Sequence, residues 1–148
     1  MTTVLVETPR RIRRAELQSF AGDTQRALKL KGDVSILLTT SDHIKQLNRQ
    51  YRKKNKATDV LSFPADDVSG TAGDLAISVD IAADYAHQLG HSLTKELSIL
   101  ILHGMIHLAG HDHEVDHGEM AALEAKLRKR FGLPLSLTER NHSARSTA

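Results

Sequence analysis

The feature that most constrains this chain is a run of four histidines, His103-Gly-Met-Ile-His107-Leu-Ala-Gly-His111-Asp-His113. Residues four apart on an α-helix lie about 40° apart around its axis. The imidazoles of His103 and His107 can therefore bind one cation from a single helical face. Gly110 suits a turn that ends this helix, because glycine adopts a positive φ without steric cost. Such a turn can bring His113 back as a third ligand, and the pattern predicts a catalytic site holding one Zn²⁺, with the fourth position open to water.

The spacing HxxxHxxGxxH is that of the metzincin proteases, which carry a glutamate after the first histidine as general base. That position is Gly104 here, and glycine cannot accept a proton. An isolated HxxxH pair is more often structural, but four histidines within eleven residues favour a metal site. Asp112 either hydrogen-bonds a ligand imidazole or caps the turn. We expect metal chemistry other than proteolysis.

Composition limits the class of protein. The 148 residues are 40% hydrophobic and 26% charged, as in an ordinary globular domain. Aromatic residues make up only 3%, so the core should be aliphatic, and the absence of cysteine excludes disulfides and thiolate ligands. The apolar run 97–102 is far too short to cross a membrane, and residues 4–6 are no signal-peptide core. These features predict a cytoplasmic protein with no membrane partner.

Basic residues are clustered although the net charge is only +2. The three groups are Arg10, Arg11, Arg13 and Arg14; Arg49, Arg52, Lys53, Lys54 and Lys56; and Lys126, Arg128, Lys129 and Arg130. The third group falls in the last turns of a predicted helix, where we expect a solvated face that opposes the helix dipole. The second group lies in a loop-like stretch before a strand, and it suits a polyanionic partner.

Hydrophobic periodicity predicts one α+β domain over residues 1–137, followed by a polar, disordered tail over 138–148. The expected strands are 2–7, 34–39, 59–63 and 74–79, with a basic loop at 49–58 and a polar loop at 66–73. The expected helices are 13–30, one capped by Ser41, 81–89, the histidine helix starting at Ser92 or Thr94, and 118–131. Apolar residues surround the histidine helix, so it should be buried.

Four short motifs follow one another along the chain. The first is LNxxYR, present as residues 47–52, and the second is TDVLSFP, present as residues 58–64. A GD pair, Gly73-Asp74, follows, and an HGxxHLxGxDH signature occupies residues 103–113. In this order the four motifs resemble those of the YbeY family of bacterial rRNA-maturation endoribonucleases. The residue before the signature Asp112 is most often Tyr in the family. His111 replaces it here and adds a candidate ligand.

The resemblance implies a zinc-dependent endoribonuclease that cleaves single-stranded RNA in small-subunit rRNA 3′-end maturation and ribosome quality control. It implies a mixed sheet flanked by helices, with the metal in a cleft beside the sheet. By motif position His103, His107 and His113 are the ligands, and Arg52 is the functional arginine of the cleft. The partners it implies are rRNA, the small ribosomal subunit and its associated factors.

The chemistry expected of these residues is phosphodiester hydrolysis. A guanidinium matches phosphate bidentately and stays charged, so Arg52 suits the developing charge, unless it forms an ordinary surface ion pair. Lys53, Lys54 and Lys56 would attract the RNA backbone. The general base stays open between Asp74, Asp112 and the water on the metal. Two rival functions are a metallopeptidase and a non-catalytic, metal-stabilised module that binds RNA on the ribosome.

Overall fold

The computed structural model describes residues 1–52, 58–65, 70–110 and 118–134, and for Arg52 the backbone alone. The strands are β1 (Thr2–Val6), β2 (Asp33–Thr39), β3 (Val60–Pro64) and β4 (Thr71–Ser78). The helices are α1 (Arg14–Leu28), α2 (Ser41–Arg52), α3 (Val79–Leu89), α4 (Leu93–Leu108) and α5 (Glu119–Arg130). The predicted α+β class, with four strands and five helices in these ranges, is confirmed.

The four strands form one mixed sheet in the order β1-β2-β4-β3. β1, β2 and β4 run parallel, with Ile36 of β2 opposite Leu75 of β4. β3 is antiparallel to β4, so Phe63 lies opposite Asp74. The antiparallel strand is therefore at one edge of the sheet and β1 at the other.

Alternate residues of β4 divide the core between the two faces of the sheet, as the period of a strand requires. Leu75 and Ile77 join the large cluster that contains α1 and α4 residues. Ala76 joins a smaller cluster with Ile44 of α2 and Leu61 of β3. α4 and α2 therefore pack on opposite faces of the sheet.

The histidine helix α4 is almost entirely enclosed. Ser92 caps it, accepting a hydrogen bond from Lys95 N at 3.1 Å, and every residue from Glu96 to Ile106 is buried. One side packs on the sheet and α1, while Leu102 and Ile106 meet Met120 and Leu127 of α5. Of the two predicted caps, Ser92 is the one observed, and the predicted burial is confirmed.

Two predicted loops are partly regular structure. α2 continues through Arg49 to Arg52, so the start of the expected basic loop is helical. β4 begins at Thr71, inside the expected polar loop, because pairing with β2 extends to Asp33. The polar tail expected at 138–148 lies outside the described residues. None of the helices in the described ranges could cross a membrane.

The outer edge of β1 is covered by side chains of α1. Gln18 accepts a hydrogen bond from Val4 N at 2.8 Å through Oε1 and donates one to Thr2 O through Nε2. Arg14 Nε donates to Val4 O at 2.8 Å. The amide of Gln18 thus makes the two bonds that a neighbouring strand would make.

Candidate metal centre

His103 and His107 lie one turn apart on α4, with ring centroids 4.9 Å apart and ring planes at 71°. His103 is buried, at 5% exposure, and His107 is half-buried. The helix ends just beyond them, where Gly110 adopts a φ of +97° and Gly110 N donates to His107 O at 3.0 Å. The predicted pair and the predicted glycine turn are therefore in place at the end of a buried helix.

The ring of His103 is held from α5. Its Nδ1 lies 2.6 Å from Oε1 of Glu124, and both side chains are buried. The other carboxylate oxygen, Oε2, lies 2.6 Å from Nη2 of Arg128, and Nη1 of Arg128 donates to Pro134 O at 3.2 Å. Glu124 is 1% exposed and Arg128 is fully buried. A carboxylate and a guanidinium from one helix thus extend a polar network from the candidate metal centre into the protein.

The sequence pattern does not predict this network, and the expected solvated position of Arg128 is wrong. Lys126, Lys129 and Arg130 are exposed as expected, but Arg128 points inward. A signal was available, since Glu124 and Arg128 follow Met120 at intervals of four and share its buried face of the helix. A Glu and an Arg four residues apart also form ordinary surface pairs, so the spacing alone does not distinguish the two situations.

Gly104 follows His103 and lies against the sheet. A Cβ atom at this position would be 2.8 Å from Cδ2 and 2.9 Å from Cδ1 of Leu75. Leu75 is itself buried, at 1% exposure. The position that holds the general base of metzincins is therefore packed against β4, with no room for a longer side chain unless Leu75 moves.

Gly73 allows a second close approach to the same helix. Its φ is +145°, which L side chains rarely adopt, and a Cβ atom would lie 2.7 Å from both Cδ2 of Leu108 and the Phe63 carbonyl oxygen. Leu108 directly follows His107 in α4. The glycine of the GD pair therefore lets the end of the histidine helix rest on β4 and β3.

The segment that carries Arg52 packs across the sheet from α4. Tyr51 makes an edge-to-face contact with Phe63 of β3, with centroids 5.8 Å apart, and Leu47 packs with Phe63 on the smaller core cluster. Arg52 is the last residue of α2 and directly follows Tyr51. The motif residues 47–52 and 58–64 are thus brought together by packing, and the approach of the Arg52 guanidinium to the histidines stays a prediction.

Comparison with known proteins places this arrangement in a family. The family model described as Endoribonuclease YbeY matches residues 6–132. The chain belongs to the YbeY family. The Endoribonuclease YbeY of Koribacter versatilis is 59% identical over 124 residues, which cover 84% of this chain and 81% of the relative. The Endoribonuclease YbeY of Solibacter usitatus is 45% identical over 135 residues, covering 91% and 90%.

A solved structure supports the fold. The chain is similar to a Thermotoga maritima protein whose solution structure gives a TM-score of 0.61 at 27% identity, covering 89% of this chain and 90% of that one. The YbeY family match spans the last residue of β1 and every later strand and helix of the described ranges. The four motifs that suggested the YbeY family are therefore part of a similarity that extends over most of the domain.

The remaining YbeY motif positions are only partly described. Asp74 is exposed on β4, opposite Ser35 and Phe63, and its role as a base stays a prediction. The predicted ligand His113, its neighbours His111 and Asp112, and the predicted RNA-binding Lys53, Lys54 and Lys56 lie outside the described residues. Within the described ranges no group of three or more His, Cys, Asp or Glu residues surrounds a metal position.

The described residues of this YbeY member fit a borderline divalent cation. Two imidazoles share one face of a buried helix, and nitrogen donors of this kind suit Zn²⁺. A metal-ligating histidine usually donates its other ring N–H to a carboxylate, and Glu124 occupies that position beside His103. The chemistry of the donors therefore agrees with the predicted metal, to which His113 would add a third imidazole.

Proposed function

We propose that this chain is a metal-dependent endoribonuclease that cleaves single-stranded RNA in the 3′-end maturation of small-subunit rRNA and in ribosome quality control. The observation that carries the proposal is the His103–His107 pair on a buried helix, with the first ring held by Glu124. Membership of a family whose members are named Endoribonuclease YbeY supplies the reaction. The proposed location is the cytoplasm. The proposed partners are the ribosomal small subunit and its associated factors.

His103, His107 and His113 would hold one Zn²⁺ per chain. A bound metal of this kind polarises a phosphoryl oxygen and lowers the pKa of a water ligand to about 7. Imidazole ligands also suit nickel, copper and iron, so metal analysis belongs in the first experiment. The burial of α4 fixes the backbone of two of these ligands before any metal binds, which lowers the entropic cost of forming the site.

The basic side chains of the protein would bind the RNA. Arg52 is proposed to bind the scissile phosphate through a bidentate guanidinium and to stabilise negative charge that develops on its oxygens. Lys53, Lys54 and Lys56 would add non-specific attraction to the backbone, which makes binding weaken with salt. Asp74 and Asp112 are the proposed candidates for moving the proton of the nucleophile.

The packing of Gly104 argues against the rival peptidase. A metzincin-type base at this position would have to displace Leu75 from the core. The other rival, a non-catalytic module that binds RNA and uses the metal only for stability, differs in one measurable respect. It predicts metal and RNA binding without turnover.

The test combines metal analysis with cleavage of a labelled single-stranded RNA. The wild-type protein is compared with His103→Ala and Arg52→Ala, each purified identically. Matched controls are His87→Ala, an exposed histidine in the last turn of α3, and Arg26→Ala, an exposed arginine in the last turn of α1 that belongs to none of the three basic groups.

We expect one metal per chain in the wild type and in both control variants, and loss of the metal in His103→Ala. Cleavage should fall at least about 100-fold in His103→Ala and Arg52→Ala, persist in the controls, and stop with a chelator. Equal cleavage in all five proteins would indicate a contaminating nuclease and leave the binding module as the better account. Peptide hydrolysis that a chelator abolishes would instead support the rival function, a metallopeptidase.

A further inference from the structure

The charges of Arg128 and Glu124 determine which atoms donate and which accept hydrogen bonds in the polar network behind His103. Arg128 can only donate hydrogen bonds, and it lies 2.6 Å from Oε2 of Glu124. A carboxylate paired with a guanidinium is ionised, and an ionised carboxylate only accepts. The 2.6 Å contact between Glu124 Oε1 and His103 Nδ1 is therefore made by Nδ1–H donating to the carboxylate. In the neutral ring this places the lone pair on Nε2.

We propose that Glu124, oriented by Arg128, is a positioning residue that selects the Nδ1–H tautomer of His103 and so presents Nε2 as the metal-binding nitrogen. The inference rests on the proposed metal site but concerns residues outside the motif of histidines. Both charges are more than nine-tenths buried, so the network is shielded from exchange with bulk water. Arg128 prevents Glu124 from rotating away, because the guanidinium is itself anchored to the Pro134 carbonyl.

The isosteric substitution Glu124→Gln gives a sharp test. The Arg128 guanidinium contains only hydrogen-bond donors, so it binds the oxygen of the introduced amide. The amide NH₂ is then turned toward His103. Nδ1 must then accept, which moves the ring proton to Nε2. The shape of the side chain is retained while the nitrogen that should bind the metal becomes protonated. Losing an outer partner of a ligating histidine usually weakens metal binding about 10- to 100-fold.

A second substitution separates tautomer control from simple damage to the core. In Glu124→Gln/Arg128→Met the introduced amide no longer faces a guanidinium and can rotate its oxygen toward Nδ1–H. The double variant also removes both members of the buried charge pair, which is often tolerated better than removing one. The Nδ1–H tautomer and part of the metal affinity should therefore return, although the double variant departs further from the native sequence.

The experiment records ¹⁵N NMR spectra of the histidine ring nitrogens in metal-free protein and then titrates Zn²⁺ against a chromophoric chelator. Glu16→Gln is the matched control, because Glu16 forms an exposed ion pair with Arg13 near the start of α1. We expect Nδ1–H in the wild type and the control, Nε2–H in Glu124→Gln with about 10- to 100-fold weaker zinc binding, and recovery in the double variant. Circular dichroism of each variant confirms that the helices are retained.

An unchanged His103 tautomer in Glu124→Gln would overturn the inference, and so would a shifted tautomer with unchanged zinc affinity. Either result would leave the metal site itself intact. A wild-type protein that binds no zinc or other divalent cation would instead overturn the proposed function together with the role of Glu124. The two failures are therefore distinguished by the wild-type titration.

Discussion

Leu75 of β4 occupies the space beside Gly104 of α4, so that a Cβ atom on Gly104 would lie 2.8 Å from the leucine Cδ2. The contact lies one residue after His103, at the level where the histidine helix crosses the sheet. Leu75 is buried, at 1% exposure, and packs within the large core cluster. The close approach of α4 and β4 at this point determines how deeply His103 is buried.

The substitution Gly104→Ala should therefore destabilise the protein, although alanine favours helices over glycine by about 1 kcal/mol. Overpacking a tight core typically costs about 1–3 kcal/mol. Gly22→Ala is the matched control, since Gly22 lies within α1 and its Cβ would make an ordinary 3.6 Å contact with Arg26. Urea unfolding should show Gly104→Ala less stable and Gly22→Ala slightly more stable than the wild type. Equal stability of the two variants would contradict the close approach.

The carboxylate of Asp80 should make stability depend on pH. It accepts hydrogen bonds from Ser41 N at 2.8 Å and Ser41 Oγ at 3.0 Å and pairs with Arg10 at 3.3 Å. The bond from Ser41 N is the largest cause that lowers the pKa of Asp80 below its usual 3.8. A lowered folded-state pKa stabilises the protein above about pH 4, and this contribution is lost as the pH falls through the folded-state value.

Asp80→Asn should thus unfold more easily than the wild type at pH 7, by about 0.5–1 kcal/mol, because the charge near the start of two helices is removed. The difference should shrink as the pH is lowered below about 4, which chemical denaturation at a series of pH values would show. Asp84→Asn, at an exposed position one turn further along α3, serves as the control. Parallel pH curves for wild type and Asp80→Asn would refute the assignment.

Gln18 should keep the sheet from pairing with other chains. Gln18→Ala removes the side-chain partners of Thr2 O and Val4 N and opens one edge of β1. An open edge favours intermolecular strand pairing, so association should increase with concentration relative to the wild type. Light scattering after size exclusion measures this, with Gln46→Ala, an exposed glutamine on α2, as the control. The same mass for both variants at every concentration would show that Arg14 suffices to cover the edge.

The sequence predicts those features of the fold that depend on residues close together in the chain. The cap at Ser92, the stop at Gly110 and the burial of the helix between them follow from residue types within that segment. The predicted cap of α2, Ser41, is wrong by one residue, because Ser41 is already helical and Thr40 Oγ1 accepts the hydrogen bond from His43 N at 3.3 Å. Ser41 N and Oγ instead donate to Asp80. Asp80 comes from a different helix, and a contact over that sequence distance leaves no local signal.

The support behind His103 was missed for the same reason. His103 and Glu124 are 21 residues apart, and their contact exists only because α5 packs on α4. Arg128 was expected at the surface because cations favour the last turns of a helix. Its burial depends on Glu124 as a partner four residues away, and pairing of that kind overrides the preference of a lone charge for water.

The order of the elements along the chain determines when this network can form during synthesis. The ribosome delivers the chain from its N-terminus, and the last described strand, β4, is complete at Ser78. Glu124 and Arg128 leave the ribosome more than forty residues later, with α5. A nascent chain that has exposed α4 but not α5 therefore holds all four described strands and both α4 histidines without the groups that orient His103. Synthesis of the final described helix therefore supplies the last described part of the network that supports His103.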